Sequence, residues 1–163
     1  MAPPVGSALV ITISDRGFAG QAEDRSGPAV VNLLQHSGFE VFGPEMVPDN
    51  RERIIDILLG AAAEGHDLVV TTGGTGLGPR DITPQATAAI VDYQVEGLAE
   101  QMRRSGVRKT PMAILSRGIA GVRDKTLILN LPGSPKGATE SLEAVVPVLR
   151  HAIQLIHGDT AHE

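Results

Sequence analysis

Cysteine and tryptophan are absent from this sequence, and other aromatic residues are scarce. Its 163 residues include three Phe and one Tyr, so a core must be built from Val, Ile, Leu and Ala. The absence of cysteine excludes disulfides, thiolate metal sites and a cysteine nucleophile, and it is compatible with a reducing compartment. We therefore expect an aliphatic, closely packed core and a cytoplasmic location.

Long apolar runs and a basic footprint are also missing. The sequence has no apolar stretch of about 18 residues and no basic N-terminal segment followed by an apolar run, so we expect no membrane association and no export. A net charge of −5 is unfavourable for nucleic-acid binding. The five histidines, at positions 36, 66, 151, 157 and 162, show no His-Glu-x-x-His spacing, which predicts surface positions rather than zinc ligands.

Positive charge is concentrated in residues 101–136. This segment contains eight Arg and Lys residues and a single acid, Asp124. Some of these cations are expected to be solvated charges at helix ends and turns. The concentration nevertheless indicates that part of this segment binds a small polyanion.

Apolar periodicity predicts alternating strands and helices. Strands are predicted near residues 8–13, 40–47, 67–72, 112–115 and 126–131, and helices near 28–35, 51–64, 84–92 and 135–156. Asp49 or Asn50 is expected to cap the second helix and Thr83 the third, while Pro147 should kink or divide the last. This order predicts an α/β fold, a three-layer sandwich with a mostly parallel sheet and helices on both faces. No repeat or composition break is visible, so we expect a single domain over residues 1–163, with its core at about 6–158.

A glycine-rich segment, residues 71–84, begins at the end of the predicted strand at 67–72. Its four glycines allow close approach of backbone N–H groups to a phosphate, and Arg80 and Asp81 add charge. It is not a Walker loop, because Pro79 and Arg80 occupy the positions of Lys and Ser/Thr, and Pro79 also replaces the last glycine of a dinucleotide fingerprint. A tight turn without a ligand is the alternative, but the segment favours an anion-binding loop.

Six segments distributed along nearly the whole chain carry a family resemblance. They are residues 13–15, 24–28, 47–49, 71–84, 116–121 and 130–136. In composition and order they resemble the Mog/MoaB family of molybdenum-cofactor biosynthesis, which is related to the G domain of gephyrin and of its plant counterpart. Residues 80–84 resemble the molybdopterin adenylyltransferase branch more than the MoaB branch.

The resemblance implies a magnesium-dependent reaction, in which AMP is transferred from ATP to the terminal phosphate of molybdopterin and pyrophosphate is released. It assigns Asp49 and Asp81 as catalytic residues associated with Mg²⁺, an ion that prefers carboxylate oxygens, waters and substrate phosphates. Each aspartate also has a structural alternative. Asp49 can cap a helix, and Asp81 can pair with Arg80 or with the backbone of its turn.

The resemblance also implies which residues contact the substrates. One wall of the pocket is expected to contain Ser14, Asp15, Gly73, Gly74 and Thr75. The opposite wall is expected to contain Ser116, Arg117, Pro132, Gly133, Ser134 and Lys136. The sequence does not establish which wall binds nucleotide and which binds pterin.

Partners follow from the same resemblance. Molybdopterin and ATP are the expected ligands, a homotrimer the expected assembly, and a molybdenum insertase a further partner. A non-catalytic MoaB-like carrier of molybdopterin is the main alternative, and a magnesium-dependent transferase with another acceptor is the second. Neither nucleic acid nor a membrane is an expected partner.

Overall fold

The computed structural model describes residues 2–159, which form six strands and six α-helices. The strands are β1 (Ser7–Ile13), β2 (Glu40–Val47), β3 (Leu68–Thr72), β4 (Tyr93–Gln94), β5 (Ala120–Arg123) and β6 (Thr126–Leu131). The helices are α1 (Asp15–Phe18), α2 (Ser26–His36), α3 (Arg51–Ala63), α4 (Thr83–Ala88), α5 (Glu96–Val107) and α6 (Pro135–Ile156), and a 3-10 helix spans Pro111–Leu115.

The six strands form one mixed sheet with the order β2-β1-β3-β6-β5-β4. Neighbours among β2, β1, β3 and β6 are parallel, whereas β5 runs antiparallel to both β6 and β4. The predicted mostly parallel sheet is therefore confirmed. The antiparallel edge was not predicted; β5 and β6 are joined by a two-residue turn in which Asp124 has a φ of 52°, a conformation that Asp tolerates.

Helices cover both faces of the sheet. On one face, Val10, Val70 and Leu129 belong to a buried cluster that includes residues of α2, α5 and α6. On the other face, Ile11 and Ile128 pack in a cluster with residues of α3 and α4. Alternate residues of each central strand supply the two clusters, as the two-residue period of a strand requires. The predicted three-layer α/β sandwich is confirmed.

Two helix starts resolve alternatives left by the sequence. Asn50, not Asp49, caps α3, since the Asn50 side chain accepts a hydrogen bond of 3.0 Å from the Arg53 backbone N–H. Thr83 is not a cap: it lies within α4, whose preceding residue Ile82 makes no side-chain cap bond. The Thr83 hydroxyl instead donates to the Gly73 carbonyl at 3.0 Å. Thr83 therefore makes a tertiary hydrogen bond instead of the N-cap hydrogen bond that was predicted from its position.

Two other local predictions are wrong, and one alternative of a third is excluded. Residues 112–115 form no strand, because Pro111 begins a 3-10 helix and the Thr110 side chain accepts from the Met112 N–H. Helix α4 ends at Ala88 rather than near residue 92. Pro147 does not divide α6, which continues from Pro135 to Ile156 with buried residues on both sides of the proline, while the kink expected as the alternative stays a prediction.

The described histidines lie away from the carboxyl ends of the central strands. His36, His151 and His157 are exposed or half-exposed and His66 is half-buried, while His162 lies outside the described residues. His157 Nε2 is 2.7 Å from Asp67 Oδ1. Within residues 2–159, no group of three or more His, Cys, Asp or Glu side chains is arranged to hold a metal ion. Nor is any helix in that range long and apolar enough to cross a bilayer.

Candidate active site

Loops from four parallel strands meet at one edge of the sheet. The strands β1, β2, β3 and β6 end at Ile13, Val47, Thr72 and Leu131. Because these strands are parallel, the residues that follow them converge, as the carboxyl ends of α/β sheets generally do. Two adjoining cavities open here, with volumes of about 460 and 360 Å³. Gly74, Asp81 and Gly133 line both cavities and form the boundary between them.

The larger cavity lies between the glycine-rich segment, α5, the 3-10 helix and the start of α6. Six predicted substrate-binding residues line it: Gly74, Thr75, Ser116, Pro132, Gly133 and Ser134. Sequence reasoning missed the side chains that α5, the 3-10 helix and α6 contribute. They include Met102, Arg103, Met112 and Glu140.

The smaller cavity lies over the ends of β1 and β3. Both candidate catalytic residues, Asp49 and Asp81, line it. Four predicted substrate-binding residues join them: Ser14, Gly73, Gly74 and Gly133. Asp24, Arg25 and Ser26 were not predicted as site residues, although residues 24–28 carry part of the family resemblance.

Ser14 and Ser134 occupy helix starts at this edge. The Ser14 side chain accepts a hydrogen bond of 3.0 Å from the Gly17 N–H at the start of α1. Ser134 does the same for Gly137 at the start of α6, also at 3.0 Å. Both serines therefore serve as N-caps while lining a cavity.

Gly73 and Gly74 have backbone conformations that disfavour side chains. Their φ angles are 108° and 69°. A Cβ on Gly73 would press against the Ile13 carbonyl oxygen, and one on Gly74 would press against the Thr83 hydroxyl and lie 3.0 Å from Asp49 Oδ1. The absence of side chains therefore allows the glycine-rich segment to lie directly against β1 and beside the Asp49 carboxylate.

Arg117 connects the glycine-rich segment internally. Its guanidinium donates to the carbonyls of Gly76 at 2.9 Å and Asp81 at 3.0 Å, and to Gln85 Oε1 at 3.1 Å. Its backbone N–H donates to the Thr75 carbonyl at 2.8 Å. The side chain lines neither cavity. In this structure Arg117 holds the segment in shape, and its predicted contact with substrate stays a prediction.

A buried polar cluster supports the segment from below. The Asn130 amide donates to the hydroxyls of Thr71 and Thr87, both at 3.1 Å, and its carbonyl accepts from the Ile119 N–H at 3.2 Å. All three side chains are at most 2% exposed. Because the polar side-chain atoms buried within residues 2–159 all have partners, this cluster avoids the cost of an unsatisfied group.

Asp15 and Asp49 exchange hydrogen bonds between two loops. The Asp15 backbone N–H donates to Asp49 Oδ2 at 3.0 Å, and the Asp49 N–H donates to Asp15 Oδ1 at 2.9 Å. Arg80 donates to Asp15 through Nε at 3.0 Å and Nη2 at 3.2 Å, and to the Asp49 carbonyl at 3.0 Å. Arg80 thus pairs with Asp15 and not with Asp81, which excludes one structural alternative for Asp81.

The environments of these two carboxyl groups shift their pKa values in opposite directions. The hydrogen bond from Arg80 holds the pKa of Asp15 below its usual range. Burial raises the pKa of Asp49, and the neighbouring Asp15 and Asp81 carboxylates add to that increase. Ionisation of Asp49 is therefore unfavourable in this partly buried, negatively charged environment. Such carboxyl groups are typical of functional sites.

Asp81 lies within the curve of the glycine-rich segment. Its Oδ2 accepts a hydrogen bond of 2.9 Å from the Gly78 N–H. A Cβ added to Gly76 or to Gly78 would lie 3.0 Å from the same oxygen. The turn contact expected as a structural alternative is present, and it coexists with a place on both cavities.

Three predicted substrate-binding residues line neither cavity: Asp15, Arg117 and Lys136. The side chain of Lys136 is 84% exposed, and its Nζ lies 4.0 Å from Glu140 Oε1. Because Glu140 itself lines the larger cavity, Lys136 is close to the site without being part of its wall. Its contact with substrate stays a prediction.

Comparison with known proteins places this geometry in a family. A family model described as a probable molybdopterin binding domain matches residues 9–151. The chain belongs to this family. The family resemblance found in the sequence is thereby confirmed, and the matched residues include all four strand ends that form the site.

Individual members of the molybdopterin-binding family cover most of this chain. The molybdopterin adenylyltransferase of Helicobacter pylori strain J99 is 44% identical over 92% of this chain and 87% of its own length. That of Escherichia coli K12 is 41% identical, over 91% of this chain and 77% of its own. The crystal structure of the molybdopterin biosynthesis enzyme MoaB from Thermus thermophilus matches with a TM-score of 0.88 and 56% identity, covering 94% and 97% of the two chains.

Proposed function

We propose that this protein acts as a molybdopterin adenylyltransferase in molybdenum cofactor biosynthesis. It transfers AMP from ATP to the terminal phosphate of molybdopterin and yields adenylyl-molybdopterin and pyrophosphate. The observation that carries the proposal is that Asp49 and Asp81, from separate loops, reach one cavity beside Gly74. Two relatives more than 40% identical over most of the chain bear the name of this activity.

The reaction makes modest chemical demands on the protein. An oxygen of the molybdopterin phosphate attacks the α-phosphorus of ATP, the bond from that phosphorus to the bridging oxygen breaks, and pyrophosphate leaves. The attacking oxygen is already anionic, so no strong base is needed. The protein must hold two anionic substrates in line and offset their charge. Two cavities that meet at Gly74 and Gly133 are suited to holding two substrates with their phosphates adjacent.

Asp49 and Asp81 fit a Mg²⁺ ion that is bound together with ATP. Both are hard oxygen donors that line the smaller cavity, and because Gly74 has no side chain its backbone lies close beside Asp49 Oδ1. No third His, Cys, Asp or Glu side chain among residues 2–159 joins them in a metal-binding group, so waters and substrate phosphates would complete the coordination of the ion. When bound, the ion would supply charge neutralisation for the phosphates.

The remaining polar groups of the two cavities bind and orient the substrates. On the smaller cavity, Ser14 and the backbone of Gly73 and Gly74 face the anionic ligand. On the larger, Thr75, Ser116 and Ser134 supply hydroxyls, and the start of α6 favours negatively charged oxygens. Pro132 and Gly133 complete the wall between the cavities.

The test is an assay of pyrophosphate release and adenylylated pterin formation from Mg²⁺-ATP and molybdopterin. We expect turnover by the wild type, and a loss of about 100-fold or more in kcat for Asp49→Asn and Asp81→Asn, since each removes charge from the site of phosphoryl chemistry. Asp56→Asn is the matched control, because Asp56 is an exposed residue of α3 outside both cavities. Full activity in the folded Asp81→Asn protein would remove that assignment.

A non-catalytic molybdopterin carrier is the second candidate. The observation behind it is the 56% identity to a protein named MoaB, although that protein is also described as a molybdopterin biosynthesis enzyme. Residues 80–84 favour the enzyme. A wild-type protein that binds molybdopterin tightly but releases no pyrophosphate would support the carrier.

Assembly and location extend the proposal. We propose a homotrimer, a cytoplasmic location, and delivery of the product to a molybdenum insertase. The whole chain would act as one domain, since one sheet supports both buried clusters. Light scattering coupled to gel filtration measures the oligomeric state directly.

A further inference from the structure

We propose that Arg80 and Asp15 are positioning residues that hold the Asp49 carboxylate in place, and that neither contacts substrate. The inference rests on the proposed function, because it assigns how one catalytic carboxylate of that function is oriented. It changes the expectation for Asp15, which the sequence placed in the substrate wall. Arg80 had received no role beyond its place in the glycine-rich segment.

The hydrogen bonds around Asp15 engage both oxygens of its carboxylate. Its Oδ1 accepts from the Asp49 N–H and from Arg80 Nη2, while its Oδ2 accepts from Arg80 Nε. The side chain lines neither cavity. A carboxylate whose two oxygens accept hydrogen bonds from Asp49 and Arg80 positions these residues and does not bind substrate.

Arg80 joins three loops at one point. It belongs to the glycine-rich segment after β3, pairs with Asp15 after β1, and donates to the Asp49 carbonyl after β2 at 3.0 Å. Its planar guanidinium suits these several contacts better than an ammonium group, which cannot form a fixed fork. The side chain of Arg80 lines neither cavity.

The pairing also manages charge. Reciprocal hydrogen bonds between their backbone N–H groups and side chains hold the acidic residues Asp15 and Asp49 close together. Arg80 offsets the negative charge of Asp15, and its hydrogen bond to Asp49 is made to the main-chain carbonyl rather than to the carboxylate. Apart from the hydrogen bond that Oδ2 accepts from the Asp15 N–H, the Asp49 carboxylate therefore stays available to a ligand.

The exposure of the Arg80–Asp15 pair indicates that it affects the order of the loops more than the stability of the whole fold. The side chains of Arg80 and Asp15 are 68% and 40% exposed. Exposed ion pairs contribute little to global stability. Small errors in the placement of a reacting group, in contrast, can cost about 100-fold in rate. The loss of Arg80 should consequently leave the fold intact and alter the order of the loops that carry Asp15 and Asp49.

The first measurement is amide hydrogen exchange in ¹⁵N-labelled protein without substrate. In Arg80→Ala, the amides of Asp15 and Asp49 should exchange roughly tenfold faster, the change expected when a hydrogen-bonded contact is weakened. The amide of Leu129, in the centre of the sheet, should be unchanged. Arg80→Lys should restore part of the protection, and Asp15→Asn, which keeps an acceptor but loses the charge, should lie between wild type and Arg80→Ala.

The second measurement is steady-state kinetics on the same proteins. We expect kcat to fall by roughly 10- to 100-fold in Arg80→Ala while KM for ATP changes less than about threefold. Arg123→Ala is the matched control, because Arg123 also donates to a main-chain carbonyl, of Ile90 at 3.0 Å, and lies near a carboxylate, Asp124, outside both cavities. It should leave the kinetics and both loop amides unchanged.

The outcomes separate the inference from the proposed function. Unchanged exchange of the Asp15 and Asp49 amides in Arg80→Ala would overturn the positioning role. So would a large rise in KM for ATP with kcat preserved, since that result means direct contact with phosphate. A wild type without turnover would remove the proposed function, while faster exchange in Arg80→Ala would still establish that Arg80 orders these loops.

Discussion

Two adjacent residues, Asp49 and Asn50, perform different tasks at the end of one loop. Asn50 caps α3, which relieves Asp49 of the role that an aspartate at this position commonly has. Asp49 instead accepts a hydrogen bond from Asp15 and faces the smaller cavity. The sequence predicted that either Asp49 or Asn50 caps this helix. Because Asn50 is the cap, the Asp49 side chain is available at the cavity.

A stability prediction follows from the raised pKa of Asp49. A carboxyl whose pKa is higher in the folded than in the unfolded protein destabilises the fold when ionised, and this cost fades as pH falls through the folded pKa. Asp49→Asn should therefore raise the melting temperature of the ligand-free protein by roughly 2 °C at pH 7. The difference from wild type should shrink as pH approaches 4. Calorimetry across this range measures it, and a less stable variant at pH 7 would contradict the argument.

At the scale of elements, local sequence signals were reliable where burial agreed with them. The strands at 7–13, 68–72 and 126–131 follow their apolar patterns closely and are almost completely buried. The run at 112–115 is also apolar, yet Met112 and Ile114 are 65% and 68% exposed in a 3-10 helix. Apolar residues alone do not distinguish a buried strand from a short exposed helix that lines a cavity.

The approach of β1 to the glycine-rich segment gives a second prediction. Gly73→Ala should lower the free energy of unfolding by about 2 kcal/mol or more, because the new Cβ would meet the Ile13 carbonyl at a φ that disfavours side chains. Gly60→Ala is the matched control: Gly60 lies exposed in α3 with open space around its Cβ position, so the change should stabilise by about 0.5–1 kcal/mol. Urea unfolding compares the two. Equal effects would show that backbone conformation is not the cause.

At the scale of the whole molecule, one sheet divides the core into two clusters. Ile128 and Leu129 are adjacent in β6, both are completely buried, and they face opposite clusters. A single domain requires that the loss of either one destabilises the entire fold.

We accordingly expect Ile128→Ala and Leu129→Ala each to lower the free energy of unfolding by about 2–5 kcal/mol. Each variant should still unfold in one urea transition, with the same midpoint by far-ultraviolet circular dichroism and by the fluorescence of Tyr93, the single tyrosine. Separate midpoints for the two probes would mean that the two sides of the sheet unfold independently. The isosteric change Leu129→Met serves as a mild control.

The fold class and the anion-binding segment could be predicted from the sequence, whereas the contacts between loops could not. Alternating apolar runs determined the α/β class, and the residue types of 71–84 determined an anion-binding segment, because both depend on neighbours along the chain. The roles of Asp15, Arg80 and Arg117 depend on residues 31 to 65 positions away. Only the tertiary structure decides such roles, since parallel strands bring the ends of distant segments together in a way that no local pattern records.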